Sequence, residues 1–297
     1  MRTGSRRVTG TRTLDRYVAP VVRSGSGWFS WGGREPVAVV APVLLWLLPA
    51  VLTSSIPVGA AWLPELSWLV DRRTTPDGLA VAFAAKGGHN GEPHNHNDVG
   101  QFILSAGGEQ LLADLGPGGH AGYFGPERDA DRLRTSAETH CVPMLDSRPQ
   151  RAGRDAAARV LHQQVTDEGA LLELDLSSAY GGGTELRRRF EWRPDGHLTL
   201  TDFFTGATRV GEVFMSGLPP QLTAGTARWQ GTYGVAVLTY RRQCWRPIVE
   251  ELTLTDHRGK QETAYRLRLE SRGAVPRQAV FEFELTVREG TAGACGE

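Results

Sequence analysis

A mainly β chain, a large antiparallel β-sandwich behind a short N-terminal helical and linker segment, is the fold the sequence predicts. Three observations carry it. Apolar residues alternate with polar ones at Leu172, Leu174 and Leu176, at Tyr265, Leu267 and Leu269, and at Phe281, Phe283, Leu285 and Val287; a period of two with one apolar face marks half-buried antiparallel strands. Leu186, Phe190 and Trp192 lead into Pro194-Asp195-Gly196 and out through Leu198 and Leu200, a hairpin with its turn residues written in. Between these runs lie Gly-rich turns and no helical period of any length.

Taken in order, residues 1–35 are rich in Arg, Thr, Gly and Ser without hydrophobic period, and read as a disordered basic tail. Residues 36–72 read as an apolar helix and linker. Their densest part, Val37 to Leu52, is sixteen residues broken by Pro42 and Pro49, shorter than the roughly 20 a spanning helix needs, so no membrane partner is expected. It also starts too late for a secretory signal. Ala60 to Val70, with Trp62 and Trp68, is expected to continue that helix. Residues 73–297 form the sandwich domain, beginning with the loosely alternating Leu79 to Ala85.

Composition excludes more than it identifies. The 33 basic and 33 acidic residues cancel, leaving no global field to attract nucleic acid. Arg outnumbers Lys so far that Lys86 and Lys260 stand alone, a mark of a GC-rich coding sequence. Cys141, Cys244 and Cys295 are widely spaced, which gives neither a CxxC site nor a disulfide framework. Tyr180-Gly181-Gly182-Gly183 reads as a flexible loop, and it lacks the Lys and helix of a phosphate-binding loop.

Chemistry concentrates in HNGEPHNHNDVGQFILSAGGEQLLAD, His89 to Asp114. Gly91 and Pro93 keep the chain out of a helix, so His94 and His96, two apart, point the same way, at metal-ligand spacing. Val99 to Ser105 reads as a strand, Ala106-Gly107-Gly108 as its turn and Glu109 to Leu115 as the returning strand, which sets Asp114 opposite Val99 or Gly100. A carboxylate ending the apolar run Leu111-Leu112-Ala113 calls for a cation or several donors. His140, heading the apolar run to Leu145, is the best-placed third ligand, and a His, Asp, His set suits a divalent ion such as zinc. The plainer alternative is surface-loop histidines and a turn-capping Asp. Cys244 reads as a buried thiol, Cys141 is a candidate for touching the metal environment through neighbouring His140, and for His89 and His120 no role is assigned.

PHNHNDVGQFIL followed by LLADLG, a tyrosine and Ser136-x-x-x-His140 resembles the C-terminal β-sandwich region of the heparinase II/III-like polysaccharide lyases, over roughly Gly78 to Asp202. The resemblance implies His94 in the active cleft and a zinc held by His96, Asp114 and His140. Where the family usually has Asn after the late His, this chain has Cys141. It also implies an acidic polysaccharide substrate cleaved by β-elimination, with Tyr123, between Asp114 and His140, as the second reacting group. Arg128, Arg132 and Arg134 are candidates for holding a substrate carboxylate, with a solvated mixed-charge segment as the alternative. Complete members carry a helical toroid ahead of the sandwich. About 70 residues cannot build one, so a helical partner chain or a separately encoded half is expected, and the family setting points to the cell envelope or export.

Overall fold

The computed structural model describes residues 59–92, 95–116, 133–255 and 260–289. Its strands, in chain order, are β1 (Gly59–Leu63), β2 (Trp68–Thr74), β3 (Ala80–Lys86), β4 (His89–Asn90), β5 (Phe102–Ala106), β6 (Glu109–Leu112), β7 (Met144–Leu145), β8 (Gly153–Ala157), β9 (Arg159–Thr166) and β10 (Gly169–Asp175). There follow one helical turn, α1 (Ser177–Tyr180), then β11 (Glu185–Trp192), β12 (His197–Thr205), β13 (Val210–Ser216), β14 (Gln221–Thr223), β15 (Thr226–Gln230), β16 (Gly234–Thr239), β17 (Trp245–Thr255), β18 (Gln261–Ser271) and β19 (Gln278–Val287).

These make an eight-stranded sheet in the order β14-β15-β16-β19-β12-β11-β10-β9, a five-stranded sheet β1-β2-β3-β5-β6, a four-stranded sheet β17-β18-β13-β7, and the small pair β4-β8. All the paired strands run antiparallel. The five- and four-stranded sheets adjoin where the Ala113 N–H donates to Met215 O at 2.9 Å. Together they face the large sheet. Phe83 and Phe102 from the five-stranded sheet meet Phe190, Trp192 and Phe283 of the large one, and Phe214 of the four-stranded sheet meets Phe102, Phe281 and Phe283, at centroid distances of 5.5–6.4 Å. Such tilted and stacked ring pairs each add about 0.5–1.5 kcal/mol to the burial itself. The alternating leucines and phenylalanines of β10, β11, β12, β18 and β19 supply this core, so the sandwich is the one the periodicity predicts.

The hairpin at Pro194-Asp195-Gly196 forms as written: Trp192 pairs with Leu198, and Gly196 closes the turn at φ +88°. Three expectations are corrected. Residues 59–74 are strands, not helix, because Pro64 and the left-handed Ser67 turn β1 into β2. Trp68 and Leu69 both vanish into the protein, Leu69 into the main core and Trp68 into a small cluster with Ala84 and Ile103 on the sheet's other face. A strand covered on both faces loses the alternation that would have marked it. The run Val37 to Leu52 and the tail lie outside the described residues. No helix among those described is long and apolar enough to cross a membrane.

The second correction concerns the hairpin at the site. Its strands are shorter than expected, its turn is Gly107-Gly108, and a bulge between Leu104 and Ser105 ends the ladder at Leu104 opposite Leu112. Asp114 is therefore not paired with Val99 or Gly100. Released from β5, residue 113 bonds to β13 instead. Third, Tyr180 is not in a flexible loop: it closes α1, buried, and its hydroxyl donates to Pro143 O at 2.6 Å.

Candidate metal centre

The segment that follows β4 is irregular, so its buried polar groups must be met by side chains. Asn90 and Gln150 do most of this. The Asn90 amide donates to Gln150 Oε1 (3.0 Å) and Arg151 O (2.9 Å), and its Oδ1 accepts from the Asp98 N–H (3.1 Å). Gln150 accepts from the Val99 N–H (3.0 Å) and donates to Val99 O (2.8 Å) and the Tyr180 hydroxyl (3.2 Å). Asn97 N–H reaches Thr135 O at 2.8 Å, which draws in the segment carrying His140. Beneath the loop, buried Lys86 and Asp98 pair at 2.6 Å. Burial works against the charge on Lys86, but Asp98, with Glu92 and Asp114 beyond it, outweighs that and holds the ammonium above its ordinary range.

Three segments then converge. One ligand atom each from His96, Asp114 and His140 lies within 4.8 Å of the others. His96 Nδ1 is 3.0 Å from His140 Nε2, which is 4.0 Å from Asp114 Oδ1. His140 is buried after a short 3-10 turn (Ala137–Thr139), and its Nδ1 lies 2.8 Å from Ser136 O. A carbonyl only accepts, so Nδ1 carries the proton there and the Nε2 lone pair faces the cluster, the tautomer a metal-bound imidazole adopts. Burial and neighbouring His140 push His96 down, keeping it neutral. For Asp114 burial acts upward, but the two imidazoles, the Gly116 N–H and Lys86 hold the carboxyl below its usual range. A neutral imidazole and an ionised carboxylate are the states that bind a cation.

The donor set fits zinc. Tetrahedral bonds of about 2.0–2.2 Å put ligand atoms roughly 3.3–3.6 Å apart, and the spacings here bracket that. Neither neighbouring group competes. Asp98 is committed to Lys86, and the Cys141 thiol, pushed up to about 12 by burial, accepts the Met215 N–H at 3.2 Å. Cys141 is thus a buried thiol turned to the Met215 backbone, whereas Cys244, expected to be the buried one, is only partly covered.

His94 and Tyr123 lie outside the described residues, as do His120, Arg128 and Arg132. Arg134 is neither a substrate clamp nor a solvated charge. It is buried, donates to Leu115 O and Gly116 O just after Asp114, and pairs with Glu262 at 3.1 Å. His89 sits in β4, its Nδ1 accepting from the Gly91 N–H at 3.1 Å. Sequence reasoning missed the supporting groups Lys86, Asn90, Gln150 and Arg188. For Arg188 a signal was present, since it occupies the inward phase of Leu186, Phe190 and Trp192, where a charge demands a partner.

The heparinase II/III-like C-terminal family model matches residues 66–234, which include all three converging residues. No curated protein sequence matches the chain. Among solved structures, a heparinase III gene product with methylated lysines is similar at a TM-score of 0.66 and 14% identity, over 81% of this chain and 38% of that one. The heparan sulfate lyase HepC from Pedobacter heparinus is similar at 0.65 and 15%, over 79% of this chain and 37% of its own. This chain thus spans under two fifths of those relatives, and at such identity they attest the fold alone. With a family model over more than half its length and a sandwich of the matching fold, the chain belongs to the heparinase II/III-like family, by its C-terminal domain.

Proposed function

We propose that this chain is the β-sandwich part of a polysaccharide lyase that cleaves an acidic, uronate-containing polysaccharide by β-elimination. The observation that carries the reading is the convergence of His96, Asp114 and His140 from three segments, with His94 two positions from a ligand. Bound there, a zinc ion supplies a structural pin that ties the end of β6 and the His140 segment to the histidine loop. Two of the chain's own residues take part in the chemistry. His94 serves as base or as neutraliser of the sugar carboxylate, and Tyr123 serves as the second proton-transfer group. In the step itself a base removes the proton α to the carboxylate, the electron pair forms a carbon–carbon double bond, and the C–O bond to the leaving sugar breaks as an acid protonates its oxygen. The remaining groups come from a helical domain or partner chain, which also selects the substrate.

The test mixes purified protein, alone and with a helical family domain, with a panel of uronate polymers and follows near-ultraviolet absorbance of the unsaturated product. The expected result is product with at least one polymer, reduced more than about 100-fold by His94→Ala. Binding without product in any combination would make this a carbohydrate-binding module, and neither binding nor product would leave a metal-stabilised structural domain.

A further inference from the structure

Arg188 lies in β11 of the large sheet, fully buried, yet its guanidinium ends beside the segments that carry the histidines. Each of its five N–H donors has an acceptor. Nε and one Nη2 hydrogen go to Asp202, directly opposite on β12, at 2.9 and 2.6 Å. The other Nη2 hydrogen goes to Glu212 of β13 at 2.9 Å. Nη1 donates to two main-chain carbonyls, Gly100 at 3.2 Å and Cys141 at 2.8 Å. Gly100 closes the loop that bears His96, and Cys141 follows His140. Gln101 spans the same gap, its Oε1 accepting from the Cys141 N–H while its Nε2 meets no partner among the described residues. Gly100 itself admits no side chain, being at φ +84° with a Leu176 methyl 2.5 Å from where a Cβ would stand.

We propose that Arg188, assisted by Gln101, is the positioning residue that sets the distance between His96 and His140, and so the metal affinity of the centre. The guanidinium's planar fork reaches across the sandwich and holds two carbonyls at one fixed separation. The Asp202 carboxylate pairs with its charge and Glu212 accepts its remaining Nη2 hydrogen, so it does not swing away. Lysine has three donors against five acceptors, and cannot hold both carbonyls while pairing both acids. This inference rests on the metal-centre reading.

Zinc affinity of the full chain is measured by competition with a chromophoric chelator, alongside the melting temperature of the metal-free protein. Arg188→Lys is expected to weaken zinc binding at least about 10-fold, and Gln101→Met, a milder lesion that keeps the fold should the first variant not, by a few-fold. Phe281→Leu, in the core away from the centre, is expected to lower the melting temperature with wild-type zinc affinity. Wild-type affinity in both clamp variants, or an equal loss in Phe281→Leu, overturns the proposal. If the wild type binds no zinc, or His140→Ala binds it as tightly, the metal-centre reading itself falls and the clamp falls with it.

Discussion

Ser136 and Cys141, on either side of His140, show how single groups decide what this cluster can hold. Ser136 O fixes the imidazole tautomer, and the Met215 backbone removes the neighbouring thiol from contention. Cys141→Ala is therefore expected to keep full zinc content while losing about 1–2 kcal/mol of stability, from the vacated volume and the Met215 N–H left without its acceptor. Elemental analysis and a denaturant titration check both; a loss of zinc would put sulfur in the coordination shell. The three converging residues were legible in the sequence because each is tied to a local signal: the HxH spacing, the Asp ending an apolar run, the His heading one. The groups that hold them were not. Lys86, Asn90 and Gln150 act through tertiary contacts, Lys86 to Asp98 and Asn90 and Val99 to Gln150, which no period records.

At the level of strands, inward alternation predicted the sheets well where one face meets solvent, and failed at the start of β2, where Trp68 and Leu69 are buried on opposite faces. The same alternation places Arg188 and Asp202 inward on β11 and β12, opposite Glu212 of β13. Two buried carboxylates share one guanidinium, and burial together with Asp202 raises Glu212 well above the usual carboxylate range. The fold then keeps a proton that the unfolded chain releases near the ordinary value of about 4.3. Since the native state binds more protons, stability falls as pH rises above that value until the native pKa is passed. Glu212→Gln keeps an acceptor for Arg188 and removes this slope. Melting measured from pH 5 to 7.5 should show the variant gaining about 1 kcal/mol or more on the wild type across the range. Parallel profiles would mean that Glu212 is ionised throughout.

For the molecule as a whole, the eight-stranded sheet acts as a platform. Its aromatic face packs the five- and four-stranded sheets edge to edge, and the candidate centre sits at their seam, where Ala113 bonds to Met215 and Arg188 reaches through from behind. A metal at that seam would join segments that are distant in sequence, so its removal should loosen the border between two sheets without unfolding the aromatic core. The fold class was readable because alternation is a property of the whole chain. The seam was not, since it depends on a bulge at Leu111 of β6, after which pairing with β5 stops at Leu112, two residues before Asp114. The most direct test is the zinc content of the purified chain after exhaustive dialysis, set beside Asp114→Ala. One zinc per chain in the wild type and less than about a tenth in the variant is the predicted result; equal zinc in both, or none in either, would contradict it.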